Sequence, residues 1–588
     1  MTTASLVTRP RARWILPRTP DGALVQALRE ELLLPEVICR LLALRGHAPA
    51  DTAKRYLRPR LDQLLPPEQM LDMGRAVERL VHAVRDGETI LIHGDYDVDG
   101  MCSTTLMTRT LRLLGATVVP FIPQRLVDGY DLTDAGVRAA QAAGATVVVT
   151  CDCGTSAVQP VAALQAAGID VIISDHHLPG GDLPNAYAVL NPKRPGCQSE
   201  DKDLAAVGVA FKLALAVTRA LGGNENNVFG MLDLVALATI ADVAPLKGEN
   251  RVFARYGLKM LADTRNLGLR ALIRAAGLDG KALTAGRVGY ILAPRLNAVG
   301  RLGKALRGVE LLMATSEHEA NTIARELEEL NGRRQEIDRA VLKQARERVL
   351  ALDLDDTFGI VLAADVNTVT DAAGRERHGW HPGVIGIVAS RLVEEFGRPT
   401  VLIGLDGDEG KGSGRSISRF DLHGGIGSCR HLLKRFGGHR SAAGVTIARD
   451  QVEEFARCFN DAARSVLTLD DLVPELRVDM EVEIGDITLE FEALLRHLEP
   501  CGMGNPSPML VTRHVRLASP PKIVGDGGLK LCLDAPGHAP IEAIGWSLGS
   551  RIGELDTTRT FDIAYRLERD EFRGVSRLQA RLSDFRVH

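Results

Sequence analysis

Short apolar, β-branched runs alternate with amphipathic segments between residues 88 and 175. The runs are typical of buried strands, and they lie at 89–92, 117–122, 146–150 and 170–174. The segments between them have helical periodicity, and they lie at 101–114, 132–143 and 157–167. Each helical segment is followed by a glycine, which is a common helix end. Repeated strand–helix units predict a largely parallel sheet with right-handed crossovers.

The pattern changes several times along the rest of the chain, which indicates further domains. Residues 20–85 and 205–300 are mostly helical, and the charged, proline-free stretch 316–352 predicts one long connecting helix. A second α/β pattern covers about 355–465, and short alternating runs beyond 468 predict a small β-rich domain, a barrel. The expected parts are a helical segment (1–85) packed on the parallel-sheet domain (86–310), the connecting helix (311–353), the smaller α/β domain (354–466) and the β-rich domain (467–588).

Composition is that of an ordinary soluble protein, with 588 residues, 45% hydrophobic and 25% charged. No run of 18 apolar residues is present, so we expect no membrane span, and the basic N-terminus lacks the pattern of a signal peptide. Nine cysteines at irregular positions favour reduced thiols in the cytoplasm. The net charge of −4 does not indicate nucleic-acid binding, although a local basic patch could still support it.

Carboxylates and imidazoles follow the ends of the predicted strands. His93, Asp97 and Asp99 follow the first, Asp152 follows the third, and His176 and His177 follow the fourth, while Asp242 comes at a later helix end. Parallel sheets bind ligands at the carboxyl ends of their strands, where these groups would meet. Burying them together is costly unless a cation neutralises them, and this donor set favours Mn²⁺ or Mg²⁺ over zinc.

Simpler roles compete with ligation for some of these residues. An aspartate after a strand is usually a helix N-cap, and we keep that interpretation for Asp95, Asp128 and Asp134. Cys151 and Cys153 flank Asp152, but no second cysteine pair at metal-ligand spacing accompanies them, so we interpret them as packing residues. Neither a P-loop nor a dinucleotide-binding glycine motif is present.

Several motifs together resemble those of the DHH phosphoesterase superfamily. The four metal motifs are matched by His93–Gly100, Asp152–Gly154, Asp175–His177 and Ala241–Asp242. Within the superfamily the chain resembles the RecJ family of single-stranded-DNA-specific exonucleases, whose further motifs are matched by Pro294–Arg301, Trp380–Ala389, Gly412–Ser416, Phe436–His439, Ala442–Gly444 and Leu498–Pro506. The loop 366–379 is longer and more polar than the family's usual connection, and the segment beyond about 515 matches little.

The resemblance implies a DHH domain, a smaller DHHA1 domain and a C-terminal OB-like domain, with two divalent cations, Mn²⁺ or Mg²⁺, in the first. His93, Asp97 and Asp152 would hold one ion. Asp99, Asp152, His176 and Asp242 would hold the other, with Asp152 shared. His177 would face the scissile phosphate, and Asp175 would orient the neighbouring histidine.

Substrate contacts are expected from the glycine-rich motifs. Arg415 and His439 are the main candidates for phosphate binding, because backbone N–H groups can also approach an anion in such loops. The full predicted substrate-binding set is Arg295, Asn297, Arg301, Ser413, Arg415, Gly437, Gly438 and His439. A cleft between two domains would admit a single strand more readily than a duplex. Nearby cations could follow the DNA backbone or form a solvated surface: Lys411, Arg419, Arg430, Lys434, Arg435 and Arg440.

The resemblance implies a 5′→3′ exonuclease that hydrolyses single-stranded DNA to 5′-mononucleotides in recombination and repair, with a RecQ-type helicase and a single-stranded-DNA-binding protein as possible partners. Two alternatives stay open. A relative that acts on short oligonucleotides or cyclic dinucleotides would not need the additional β-rich domain. A non-catalytic nucleic-acid-binding relative would have lost metal ligands, yet each position here holds a competent residue.

Overall fold

The structure, a computed structural model, describes residues 11–125, 127–370, 376–377, 379–525, 527–572 and 575–588. The chain divides into two compact units. The larger contains residues 14–300, 304–325 and 477–588, and the smaller contains residues 326–476 with the short segments 11–13 and 301–303. The two units are described in turn.

The N-terminal part of the chain is helical, as predicted. Its elements are β1 (Arg13–Ile15), α1 (Gly22–Leu32), α2 (Glu36–Leu44), α3 (Ala50–Leu57) and α4 (Met73–Arg85).

A five-stranded parallel sheet forms the centre of the larger unit, in the order β3-β2-β4-β5-β6. Its strands are β2 (Thr89–Gly94), β3 (Thr117–Phe121), β4 (Val147–Cys151), β5 (Asp170–Ser174) and β6 (Ala188–Leu190). The four predicted strands are confirmed. The short β6 was not predicted, because three residues carry too little pattern.

Helices cover this sheet and extend the unit. They are α5 (Val98–Leu113), α6 (Asp134–Ala142), α7 (Val158–Ala166), α8 (Ala206–Ala220), α9 (Asn226–Phe229), α10 (Leu232–Ala241), α11 (Gly248–Ala262), α12 (Leu267–Ala275), α13 (Ala285–Arg287), α14 (Ala293–Leu302) and α15 (Leu306–Met313). Apolar residues of β2, β4 and β5 share one core with α6 and α7.

The predicted long helix is present as α16 (Glu317–Leu350). The smaller unit follows with β7 (Ile360–Asp365), β8 (Val369–Thr370), β9 (Glu376–Arg377), α17 (Pro382–Phe396), β10 (Thr400–Asp406), β11 (Glu409–Arg415), α18 (Leu422–Ser428), β12 (Leu433–Gly438), β13 (Ala442–Ala448) and α19 (Val452–Val466). Its main sheet has the order β12-β13-β11-β10-β7. Alternate residues of β10 face opposite cores, since Leu402 packs with Trp380 while Val401 packs with Phe459.

The C-terminal part is β-rich, as predicted. Its elements are β14 (Glu475–Arg477), β15 (Met480–Glu481), α20 (Leu489–Leu495), β16 (Leu510–Val515), β17 (Leu517–Val524), β18 (Gly528–Leu533), β19 (Ile541–Gly545), β20 (Phe561–Phe572) and β21 (Val575–Val587). Seven of these strands form one mixed sheet in the order β15-β16-β20-β21-β19-β18-β17.

The N-terminal helices do not pack as one block on the parallel-sheet domain, which corrects the expectation for residues 1–85. Side chains of α1, α2 and α3, among them Leu28, Leu41 and Tyr56, share a hydrophobic core with the C-terminal domain. The later part of the segment does contact the parallel-sheet domain, since α4 packs beside α8 and β6.

The structure also bears on the expectations for the cysteines and for the loop 366–379. Cys429 and Cys458 form a disulfide, so the prediction of reduced thiols is wrong for this pair. Residues 371–375 and 378 of the predicted polar loop 366–379 lie outside the described residues. No helix in the described part of the chain combines the length and apolar character that a membrane span requires.

Candidate metal centre

The turn between β2 and α5 brings three aspartates close together. Oδ1 of Asp97 accepts hydrogen bonds from the N–H groups of Asp99 (2.9 Å) and Gly100 (3.1 Å), which caps the helix. A side chain at Gly100 would come within 2.4 Å of the Asp95 carbonyl oxygen, so only glycine fits this close approach. Asp97, not Asp95, is therefore the helix cap, and the N-cap interpretation of Asp95 is wrong.

Asp152 follows β4 in a left-handed conformation, with φ of +68°. Its side chain is buried, and its Oδ1 has no hydrogen-bond partner. A non-glycine residue with this backbone conformation is uncommon and often lies at a functional site. The strained turn directs a bare carboxylate oxygen toward the groups at the ends of the neighbouring strands.

His176 is held with one ring nitrogen facing Asp152. Its Nδ1 lies 3.1 Å from the Leu204 carbonyl oxygen, and because a carbonyl only accepts, Nδ1 carries the proton. Burial lowers the pKa of His176 to about 3, so Nε2 is an unprotonated acceptor at neutral pH. That Nε2 lies 3.3 Å from Asp152 Oδ1 and 3.7 Å from Asp242 Oδ2.

Asp175 organises the turn and accepts four hydrogen bonds. Oδ1 accepts from the N–H groups of His176 and His177 and lies 2.7 Å from His177 Nδ1, while Oδ2 accepts from the Thr155 N–H. Burial alone would raise the pKa of Asp175, but the hydrogen bond from His177 holds that pKa well below its ordinary value. The carboxylate is saturated with donors, which suits an orienting role.

Both ring nitrogens of His177 contact polar neighbours. Besides the contact with Asp175, its Nε2 lies 3.1 Å from the Tyr130 hydroxyl. Burial lowers the pKa of His177, but the hydrogen bond and charge of Asp175 outweigh burial and raise it to about 9. His177 is thus arranged as a charged donor, in contrast to its neighbour His176.

Asp99 is fixed from the opposite side by α8. Its two carboxylate oxygens accept the N–H groups of Ala206 and Val207, both at 2.8 Å, at the start of that helix. Burial, with the nearby charge of Asp97, raises the pKa of Asp99 to about 7.

Three overlapping groups of potential metal ligands result, each with its ligand atoms within 4.8 Å of one another: Asp95–Asp97–Asp152, Asp152–His176–His177 and Asp99–His176–Asp242. Asp152 and His176 each belong to two groups. Burial and mutual repulsion raise the pKa of Asp95, Asp152 and Asp242 well above ordinary values. Such a set is stable as carboxylates only beside positive charge, so the residues fit hard divalent cations.

His93 is placed differently from the other predicted ligands. It is buried at the end of β2, and its Nε2 has no hydrogen-bond partner, yet it belongs to none of the three groups among the described residues. Its Nδ1 lies 3.5 Å from Cys153 Sγ, and burial lowers its pKa to about 4. The neutral ring has a bare nitrogen that suits ligation, so its role as a ligand stays a prediction.

Three predicted substrate-binding residues lie on α14: Arg295 and Asn297 in the larger unit, and Arg301 near the end of the helix. Asn297 Oδ1 accepts the Val98 N–H at 3.2 Å, which ties α14 to the start of α5. A side chain at Gly300 would come within 2.0 Å of the Tyr96 carbonyl oxygen, so α14 lies directly against the metal-site turn. Arg295 donates to the Ile291 carbonyl at 2.6 Å. The side-chain oxygen of Asn297 is thus engaged with the protein backbone.

The remaining predicted substrate-binding residues lie in the smaller unit. Arg415 donates to the Ser413 hydroxyl at 3.1 Å, and its strand position pairs with Ala442. The His439 N–H donates to the Ala442 carbonyl at 2.7 Å, which places Arg415 and His439 at one end of the sheet, next to Gly437 and Gly438. Arg301, also in this unit, donates to the Gly383 carbonyl at 2.9 Å.

Sequence reasoning missed two polar side chains of the site. Asp95 joins a ligand group because its Oδ1 is buried and unpartnered, a property that only the folded turn reveals. Tyr130 contacts His177 from the loop before α6, and no sequence pattern marked it. Asp128 and Asp134 were expected to be helix caps, but Asp128 accepts the Gln124 N–H and Asp134 is the first residue of α6.

Family models match three regions of the chain. The DHH family N-terminal domain matches residues 89–239, the DHHA1 domain matches residues 361–465, and the RecJ OB domain matches residues 478–584. The order of these domains is the one predicted.

Relatives match over most of the chain. The single-stranded-DNA-specific exonuclease RecJ of Escherichia coli is 35% identical over 563 residues, which cover 93% of this chain and 95% of the relative. The corresponding protein of Bacillus subtilis is 39% identical over 515 residues, but this match spans only 63% of its length. The crystal structure of RecJ in complex with Mn²⁺ from Thermus thermophilus superposes with a TM-score of 0.82 at 30% identity, and the match covers 98% of this chain and 80% of that one.

Proposed function

Because the chain belongs to the RecJ family of single-stranded-DNA-specific exonucleases, we propose that it hydrolyses phosphodiester bonds of single-stranded DNA with the aid of two divalent cations, Mn²⁺ or Mg²⁺. The observation that carries this proposal is the pair of bare acceptors, Asp152 Oδ1 and His176 Nε2, that face each other at 3.3 Å.

The proposed ligands are the predicted set with one addition. Asp152 would be shared by the two ions, and the remaining ligands are His93, Asp95, Asp97, Asp99, His176 and Asp242. Cations bound there would supply Lewis-acid polarisation of the phosphate and activation of water. The polypeptide supplies the fixed positions of these oxygens and nitrogens through the Asp97 cap, the Asp99–α8 contacts and the His176–Leu204 bond.

His177 is assigned to the scissile phosphate. Asp175 holds its Nδ1 at 2.7 Å, so Nε2 points away from that carboxylate and toward the half-exposed Tyr130 hydroxyl. A phosphate oxygen that lay beside this hydroxyl at Nε2–H would accept a charge-assisted hydrogen bond, which stabilises the negative charge that develops in the reaction. Asp175 then acts as the residue that keeps the imidazole charged and oriented.

We assign phosphate binding also to Arg415 and His439, with Ser413, Gly437 and Gly438 beside them. Arginine suits this role because its planar guanidinium binds phosphate oxygens in pairs. Arg295, Asn297 and Arg301 are better explained as positioning residues, since each contacts the protein backbone. The contribution of the six nearby cations to DNA binding stays a prediction, although Arg419 already pairs with Glu475 and Lys434 with Glu409.

The finer parts of the function rest on family resemblance. These are the 5′→3′ direction, the release of 5′-mononucleotides, the role in recombination and repair, the cytoplasmic location and the helicase and single-stranded-DNA-binding partners. The RecJ OB domain match disfavours a small-substrate relative, and the intact set of bare metal-site atoms disfavours a non-catalytic one.

The test is Mn²⁺-dependent digestion of one oligonucleotide labelled separately at each end, offered as a single strand and as a blunt duplex. We expect mononucleotides from the 5′ end of the single strand only. Turnover of dinucleotides with an intact long strand would contradict the proposal and favour the small-substrate alternative. Release from the 3′ end would contradict the direction alone.

A further inference from the structure

The segment 498–506 of the C-terminal domain contacts the loop that follows Asp242. The Leu246 N–H donates to the Met503 carbonyl at 2.8 Å. Two glycines of the segment permit this approach: a Cβ at Gly502 would lie 2.7 Å from Leu246 Cδ1, and one at Gly504 would lie 3.1 Å from Pro245 Cβ. The motif that sequence analysis singled out here therefore contacts Leu246, which lies four residues along the chain from Asp242, a proposed metal ligand.

Arg251, on α11, fixes this segment from inside the protein. Its buried guanidinium donates to the carbonyl groups of Tyr56 (2.8 Å), Leu498 (3.2 Å), Glu499 (2.9 Å) and Pro500 (3.2 Å). It also lies 4.0 Å from the centre of the Tyr56 ring. A buried arginine without a carboxylate partner is costly unless its donors are satisfied, and here backbone oxygens satisfy them.

Asn505 closes the segment on itself. Its side-chain amide donates to the Leu498 carbonyl at 2.9 Å and the Pro500 carbonyl at 2.8 Å, and its Oδ1 accepts from the Tyr56 hydroxyl and Arg45. Every polar atom of this buried side chain has a partner, so the segment has one defined shape.

The Asp242 loop needs such support. Asp242 is the residue after α10, and Val243 has φ of +60°, a left-handed conformation that is strained for a β-branched residue. The Val243 side chain is exposed and offers no packing to offset the strain. Backbone strain of this kind persists only where neighbouring contacts hold it, and the 498–506 segment supplies one of them at Leu246.

We propose that the 498–506 segment braces the Asp242 loop, so that the C-terminal domain helps to set the position of a metal ligand, with Arg251 and Asn505 as positioning residues. This inference rests on the proposed metal-dependent function. It gives the family motif in the C-terminal domain a role in cation binding that is separate from contact with DNA.

The test measures Mn²⁺ binding to the full chain without DNA, by the electron paramagnetic resonance signal of the free ion. Gly504→Ala places a methyl group against Pro245 and Lys247 at a position with φ of +70°. We expect it to weaken binding of the ion held by Asp242 about tenfold. Gly537→Ala is the matched control, because Gly537 lies in the same domain with φ of +83° and has no atom within 4 Å of the added Cβ.

Equal Mn²⁺ binding by Gly504→Ala and Gly537→Ala would overturn the proposal. Asn505→Ala provides a second variant, for which we expect the same tenfold loss, with retained circular dichroism. A lower Tm with unchanged Mn²⁺ affinity would show that Asn505 is merely structural and would also contradict the proposal. If the wild-type chain binds Mn²⁺ but degrades no single-stranded DNA, the proposed function fails while this comparison still decides the inference.

Discussion

Nε2 of His176 and Oδ1 of Asp152 lie 3.3 Å apart, and each presents a lone pair without a hydrogen-bond partner. The Leu204 carbonyl holds the imidazole proton on Nδ1, so the two facing atoms cannot bond to each other while His176 is neutral and Asp152 is ionised. Two acceptors in contact repel each other unless a cation or a proton lies between them. A cation bound between Asp152 and His176 would remove this repulsion, and substitution of Asp152 tests whether it binds there.

Replacing Asp152 with asparagine should abolish hydrolysis and leave the fold intact. Asparagine has the same shape and tolerates the left-handed backbone at this position, but it removes the charge shared between the two groups of ligands. We expect kcat to fall by at least about 100-fold, with single-stranded-DNA binding in the absence of divalent cations unchanged. A variant that keeps more than about a tenth of the activity would contradict the shared role of Asp152.

The stabilisation by Mn²⁺ should increase with pH. Burial raises the pKa of Asp99 to about 7 and that of Asp152 well above its ordinary value. The metal-free folded protein therefore retains protons that the unfolded chain releases above about pH 4, and its stability falls as pH rises toward about 7. Because a cation replaces these protons, the gain in Tm on adding Mn²⁺ in place of EDTA should be larger at about pH 8 than at about pH 5.5.

Scanning calorimetry at the two pH values measures this difference directly. The Asp152→Asn variant is the control, since it should show a smaller gain at the higher pH. A gain in Tm that is the same at both pH values would mean that the buried carboxylates are not what the cation neutralises.

Removing the Tyr130 hydroxyl should slow the reaction without affecting cation binding. Tyr130→Phe leaves the His177 Nε2 without its partner at 3.1 Å, so the imidazole is oriented by Asp175 alone. We expect kcat to fall about tenfold, while Mn²⁺ affinity stays within about twofold. Tyr290→Phe, at a tyrosine that is 87% exposed, is the matched control. A loss of Mn²⁺ affinity in Tyr130→Phe would place His177 among the metal ligands instead.

Arg415→Ala should weaken DNA binding. If Arg415 binds a phosphate, its loss should raise KM for single-stranded DNA about tenfold and reduce the slope of log affinity against log salt by about 1. Arg457→Ala removes the same charge from an exposed position on α19 and should leave both quantities unchanged. A change in bound Mn²⁺ in the Arg415 variant would contradict the assignment to phosphate.

The strand pattern predicted most of the catalytic domain, because parallel strands buried on both faces leave strong β-branched runs. It also predicted which side chains come together: Asp97, Asp152 and His176 all follow strand ends and belong to the overlapping groups of potential ligands. What the pattern could not show was the hydrogen bonding that distinguishes residues of one type. Asp95 and Asp97 are two residues apart in one turn, and only the folded backbone decides which caps the helix and which stays bare.

Contacts between residues distant in sequence could likewise not be predicted from the pattern of apolar and polar positions. The amphipathic helices α1–α3 were correctly predicted as helices, but periodicity shows only that a helix has an apolar face and not which partner covers it. The core that Leu28 and Tyr56 share with the C-terminal domain could therefore not be read from the sequence. The Cys429–Cys458 pair is missing from the prediction for the same reason.

The core shared by α1–α3 and the C-terminal domain has a consequence for synthesis of the chain. Tyr56 leaves the ribosome 424 residues before Met480, the first C-terminal residue of that core. At typical translation rates of about 5–20 residues per second this interval lasts about 20–85 seconds. During that time the apolar surface of the first helices that the C-terminal domain will cover has no partner, so the nascent chain should depend on chaperone protection until its last domain emerges.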